Sequence, residues 1–166
     1  MKHSRTTALQ ALYRLLVTLL TVAAVGFIFS NSMEAGSLSS SRSGMFTALL
    51  NGVLGQLGLP TLTEHVVRKL AHFSEFCLLG FLLSLCVWAY SRRVFRYLCW
   101  PLLLGLLVAD LDETIQLYSI DRTSSVVDVW IDFGGVCVGV AVALGLRLLG
   151  TALLRLMGFG QKKKRG

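Results

Sequence analysis

The stretch "EHVVRKLAHFSEFCLLGFLLSLCVW", Glu64 to Trp88, decides the fold. From Leu70 onward it is apolar for the length that crosses a bilayer, since a hydrocarbon core of about 30 Å takes about 20 helical residues. Yet its opening turns carry His65, Arg68, Lys69, His72 and Glu75, groups that lipid penalises. At about 100° per residue, His65, Arg68, His72 and Glu75 fall on one narrow helical face. With lipid beginning near Leu70, Glu75 lies roughly 7 Å beneath the boundary. A polar face at that depth needs protein, water or a ligand against it.

Composition extends this reading to the whole chain. Of its 166 residues, 54% are hydrophobic and 15% charged, with a mean hydropathy of +0.67. Globular domains carry roughly a quarter charged residues, so a soluble core is excluded and a single membrane domain over 1–166 is expected. Four stretches are long and apolar enough to span, at about Leu12–Phe29, Leu70–Trp88, Leu98–Tyr118 and Val126–Leu149. The first has the basic start and apolar middle of a signal peptide, but the following "NSMEAGS" is a poor cleavage site, which favours a retained span. Between the first two spans, "GMFTALLNGVLGQLGLP" sets Phe46, Leu49, Leu50, Val53 and Leu57 opposite Thr47, Asn51 and Gln56. That stripe reads as a short helix in the outer interface, ended by Pro60, with Thr61 and Glu64 of "TLTE" as a capping box for the next helix. The fold class is therefore all-α and polytopic, with four transmembrane helices and one short interfacial helix.

The formal charge of +7 does not indicate nucleic acid, because the cations flank the apolar runs. Lys2, Arg5 and Arg14, then Arg92, Arg93 and Arg96, then Arg147, Arg155 and the tail 158–166 with Lys162, Lys163, Lys164 and Arg165 mark cytoplasmic flanks. Both termini are thus expected in the cytoplasm, in a multi-pass plasma-membrane protein. The acidic-rich "DLDETIQLYSIDRTSS" and residues 30–69 then lie outside, leaving Arg68 and Lys69 as outer cations that need local partners. Cys77, Cys86, Cys99 and Cys137 have no metal or redox spacing and read as small apolar residues.

Two further motifs lie at the same depth as Glu75. In "ADLDETIQLY", Asp112 and Gln116 share a face with Gly105 and Ala109, with Glu113 to one side. In "SSVVDVWIDFGGVCVG", Asp128 and Asp132 share a face that continues as Gly135 and Gly139, small residues suited to close packing. Carboxylates in lipid cost several kcal/mol, about 2.5–3.5 on insertion scales, unless paired or wetted, so the three faces are expected to meet. The plainer reading keeps some members structural. Ser125-x-x-Asp128 fits a capping box, His65 fits a solvated residue, and Arg68, Asp128 and Asp132 fit a clasp that neutralises itself.

"RKLAHFSEF", "DETIQ" and "DRTSSVVDVWIDFGGVCVG", in that order over about Arg68–Gly139, resemble the VanZ-like family of small membrane proteins. The resemblance carries Lys69, His72 and Glu75, then Asp112, Glu113 and Gln116, then Arg122, Asp128 and Asp132 into the family pattern. Where the family commonly has glycine before the loop arginine, this chain has Asp121. The resemblance implies a cell-envelope role linked to low-level resistance to teicoplanin, a lipoglycopeptide. It settles no chemistry, and neither the first span nor the interfacial segment carries the signature.

Three functions are compatible with these residues. In the first, an outer pocket binds an amphiphile, such as a lipid-linked wall precursor or a lipoglycopeptide, with Arg68, Lys69 and Arg122 meeting its anionic groups and membrane lipids around its tail. In the second, an enzyme acts on a lipid-linked substrate, with His72, Glu75, Asp112 or Glu113 as general acid or base, or with a divalent ion bridging Asp112, Asp128 and Asp132. In the third, a proton- or ion-coupled carrier, the apolar middle of each span offers no polar path. No cofactor is expected, and the sequence leaves the oligomeric state open.

Overall fold

The described residues form five helices: α1 (Lys2–Ser32), α2 (Gly36–Gln56), α3 (Glu64–Tyr90), α4 (Cys99–Leu117) and α5 (Val126–Leu156), with a 3-10 turn at Phe95–Tyr97. This computed structural model describes residues 2–91, 93, 95–120, 122 and 124–157, and of residues 2–6 the backbone alone. The tail 158–166, Arg92, Asp121 and the side chains of Lys2 and Arg5, used above for topology and loop shape, lie outside the described residues.

Among the described residues, three helices are long and apolar enough to cross a membrane: Thr7–Ser32 within α1, then α3 and α5. The 19 residues of α4 rise about 28 Å, but they include Asp110, Asp112 and Glu113, which lower its apolar character. Helices α1, α3, α4 and α5 pack side by side. Contacts from Arg14 to Ala89 and from Asn31 to Glu75 make α1 antiparallel to α3, and Ser32 against Asp112 makes α1 parallel to α4. One end of the bundle therefore gathers the C-terminal ends of α1 and α4 with the N-terminal ends of α3 and α5. The other end holds the aromatic–cation contacts of Arg14 on Tyr90 and Arg147 on Trp88.

The bundle is apolar outside and polar at one end within. Leu103, Leu107 and Leu111 of α4 and Val138, Val142, Leu146 and Leu149 of α5 face outward. Inside, Ile28, Phe76, Leu79, Leu83, Ala109, Val136 and Val140 form the core, with the buried Ser32, Asp112, Glu113, Gln116 and Asp132 above it. That inversion suits a chain whose solvent is lipid.

The tightest seam joins α3 to α5. A methyl group at Gly135 or Gly139 would overlap the backbone carbonyl oxygens of Phe73 and Cys77 respectively. Glycine at these two positions lets the helix backbones touch, as the small-residue faces predict.

Three local expectations are corrected. The helix between the first two spans is not short: it begins at Gly36, where the Gly36 N–H donates to the Ile120 carbonyl at 2.9 Å, and runs for 21 residues. Pro60 does not end it. Gly58 does, at φ 67°, which lets the Leu59 N–H close on the Leu54 carbonyl at 2.9 Å. Nor does Thr61 cap α3; the Thr63 hydroxyl accepts the Val66 N–H at 3.4 Å, and Glu64 is the first helical residue. The stripe Phe46, Leu49, Leu50, Val53 and Leu57 is exposed on α2, whose main contact is α3, and the Asn51 amide ties it to the Leu62 backbone.

Candidate functional site

The polar end is built from α1, α3, α4 and α5, with the α2 residues that line its cavities and the loop before α5. At its centre lies Asp112, fully buried, with the Ser32 hydroxyl donating to Oδ1 at 2.6 Å and the Gln116 amide to Oδ2 at 2.9 Å. Glu113, also buried, accepts the backbone N–H of Ser125 on Oε2 at 2.9 Å. Ser125 itself caps α5, its hydroxyl accepting the Val127 N–H at 3.2 Å. The carboxylate of this capping arrangement thus comes from α4. Asp128, assigned that role by the Ser125-x-x-Asp128 spacing, instead meets Lys69 Nζ at 2.5 Å.

Arg122 locks the loop to the end of α1. Its Nε donates to the Glu34 carbonyl at 3.1 Å and its Nη2 to the Asn31 carbonyl at 2.8 Å, beside a Ser119 hydroxyl donating to the Ser32 carbonyl at 2.7 Å. A cation on terminal carbonyls complements the negative end of the α1 dipole. Burial, and after it the positive charge of Arg68, lowers the Arg122 pKa below its usual value, while Asp112 and Glu113 oppose the shift.

Two adjoining cavities share Arg68, His72 and Arg122 as their common wall. The larger, about 500 Å³, lies among α1, α2 and α3, and combines Phe27, Phe46, Leu50, Val67 and Leu70 with Asn31, Arg42 and Glu75. The smaller, about 260 Å³, is polar and is lined by His65, Lys69, Glu113, Gln116, Asp128 and Asp132. Glu75 accepts the Asn31 amide on Oε1 at 3.1 Å, while its buried Oε2 and the buried Nδ1 of His72 have no hydrogen-bond partner.

The structure thus gathers Arg68, Lys69, His72, Glu75, Glu113, Gln116, Arg122, Asp128 and Asp132 around two cavities, with Asp112 directly behind. Two expected groupings do not form. The clasp is Lys69 with Asp128, and Arg68 and Asp132 make no salt bridge among the described residues. Asp128, held by Lys69, does not complete a set with Asp112 and Asp132; the third donor within 4.8 Å of those two is His72. Sequence spacing did not point to α1, α2 or the turn between them, which contribute Asn31, Ser32, Glu34 and the Arg42 that pairs with Glu34. The signal was present in "NSMEAG": polar residues ending an apolar span at the depth where three other helices carry theirs.

No curated protein and no solved structure matches this chain. One family model does, described as VanZ/LLP1, over residues 15–149. That range takes in α1 from residue 15 and all of α2 as well as the three polar motifs, which agrees with the part both helices play in the site. By this match over most of its length, the chain belongs to the VanZ/LLP1 family.

Proposed function

We propose that this VanZ/LLP1 membrane protein binds an anionic amphiphile at the outer face of the cell membrane. In this reading α1, α3, α4 and α5 all cross the bilayer, and α2 lies along the outer interface. The outward leucines of α4 support its crossing despite its carboxylates, which turn inward. Arg14, Arg93, Arg96, Arg147 and Arg155 lie toward the end opposite the site, a pattern that under the positive-inside rule supports reading that end, and with it both termini, as cytoplasmic.

One observation carries the proposal: an apolar cavity and a polar cavity meet at Arg68, His72 and Arg122. An acyl or polyprenyl tail fits the first, among Phe27, Phe46 and Leu50. A phosphate or carboxylate headgroup fits beside the guanidinium groups, which favour planar anionic oxygens. A lipid-linked wall precursor and a lipoglycopeptide such as teicoplanin share this chemistry, and antibiotic tolerance is the physiological outcome that follows from sequestering either.

The test is binding of a fluorescent polyprenyl-pyrophosphate precursor, and separately of teicoplanin, to the protein in lipid nanodiscs. Arg68 is the residue to change, because Arg122 also holds the end of α1. Arg68→Ala is expected to weaken binding about tenfold, roughly 1.4 kcal/mol. Equal affinity for the variant and the parent chain removes the cavity from the proposal. A carrier is the less favoured reading, because the core beneath the site is dominated by Phe76, Leu79, Leu83, Val136 and Val140.

A further inference from the structure

We propose that His72, Asp112 and Asp132 form a binding site for one divalent cation of the Zn²⁺ class. The three residues come from α3, α4 and α5, one donor each, and their ligand atoms lie within 4.8 Å of one another. In a tetrahedral zinc site, bonds of about 2.0–2.1 Å set donors about 3.3 Å apart. Small side-chain rotations toward a shared centre would cover the difference, which is about 1.5 Å.

Independent observations point to a missing partner. Nδ1 of His72 is buried with no hydrogen bond. Asp132 is 3% exposed, lines the polar cavity, and accepts no hydrogen bond among the described residues. Of the cations lining that cavity, Lys69 pairs with Asp128, Arg122 donates to the Asn31 and Glu34 carbonyls, and Arg68 forms no salt bridge with Asp132 among the described residues. The carboxylates of Asp112 and Asp132 therefore lie close to each other and to an imidazole with no salt-bridging cation among the described residues, an arrangement that is costly when left unpaired. A divalent ion would neutralise both carboxylates and accept the imidazole lone pair.

Asp112 has the surroundings of a metal ligand. Ser32 and Gln116 each occupy one lone pair of a different oxygen and fix the plane of the carboxylate, leaving further lone pairs for an ion. Such outer donors are the usual means by which proteins orient ligating groups. His72 and Asp132 both line the polar cavity, so the open coordination positions of the ion would face it. Nitrogen with two carboxylate oxygens suits Zn²⁺, whereas an all-oxygen set would have suited Mg²⁺ or Ca²⁺.

The experiment uses the full chain in nanodiscs, stripped with chelator, re-equilibrated with Zn²⁺ and assayed for bound metal by mass spectrometry. The parent chain is expected to hold one equivalent, and its thermal midpoint to rise with Zn²⁺ and fall back with chelator. Asp132→Asn and His72→Ala are each expected to lose that equivalent, and Ser32→Ala to bind about tenfold more weakly. Asp128→Asn and Arg68→Ala are expected to bind normally, so a failure here is distinct from a failure of amphiphile binding. Should either ligand variant not fold, the reversible thermal response of the parent chain decides. Absence of stoichiometric Zn²⁺, uptake unchanged in both ligand variants, or preference for Mg²⁺ each overturns the assignment.

Discussion

The Ser32 hydroxyl reaches Asp112 Oδ1 at 2.6 Å, joining the last turn of α1 to the buried carboxylate of α4. Both residues are fully shielded, so neither can exchange this contact for water. Ser32→Ala is expected to destabilise the bundle by about 1–3 kcal/mol, the usual cost of stranding a buried acceptor. Reversible unfolding in mixed micelles measures it. A loss no larger than that of an exposed serine variant, such as Ser41→Ala, would mean Asp112 finds its donors elsewhere.

Glycine at the α3–α5 seam gives a prediction with the opposite sign to helix propensity. Alanine is favoured over glycine in a helix by about 1 kcal/mol. At Gly145, with nothing within 4 Å of an added methyl, Gly145→Ala is expected to be neutral or mildly stabilising. At Gly139 the same change drives a methyl into the Cys77 carbonyl, and overpacking costs of about 1–3 kcal/mol should prevail. Thermal midpoints that move the same way for both variants would contradict the seam.

Lys69 and Asp128 are each about one-third exposed, at 33% and 28%, so solvent screens their attraction. A double-mutant cycle with Lys69→Met and Asp128→Asn is expected to return a coupling of about 0.2–1 kcal/mol. A coupling of several kcal/mol would place the pair in a drier setting than its exposure indicates.

Arg122→Lys keeps the charge and removes the fork that holds two carbonyls at once. Hydrogen exchange is expected to quicken at residues 31–36, where α1 ends and α2 begins. Protection equal to that of the parent chain would show that the loop does not secure this end.

The all-helical fold, the polar depth and the close faces were legible because each rests on periodicity. Asp112 with Gln116 and Asp132 with Gly135 and Gly139 keep to one helical stripe, and the structure buries those stripes. Which partner each carboxylate takes was not legible. Local spacing assigned Asp128 to the Ser125 cap, but the cap is served by Glu113 from another helix, a choice made by tertiary packing. The start of α2 at Gly36 was hidden for a similar reason: "GSLSSSR" has weak helical preference, and the Ile120 carbonyl that meets the Gly36 N–H is remote in sequence.

Backbone contact at Gly135 and Gly139 has a mechanical consequence. Two rods touching carbonyl to glycine have no side-chain cushion between them, so α3 and α5 move as one plank. Of the three helices around the larger chamber, α1, α2 and α3, the last is therefore its stiff wall. Opposite that wall, α2 is tied at Gly36 to the Ile120 carbonyl and at Asn51 to the Leu62 backbone, so it is held at two points along its length.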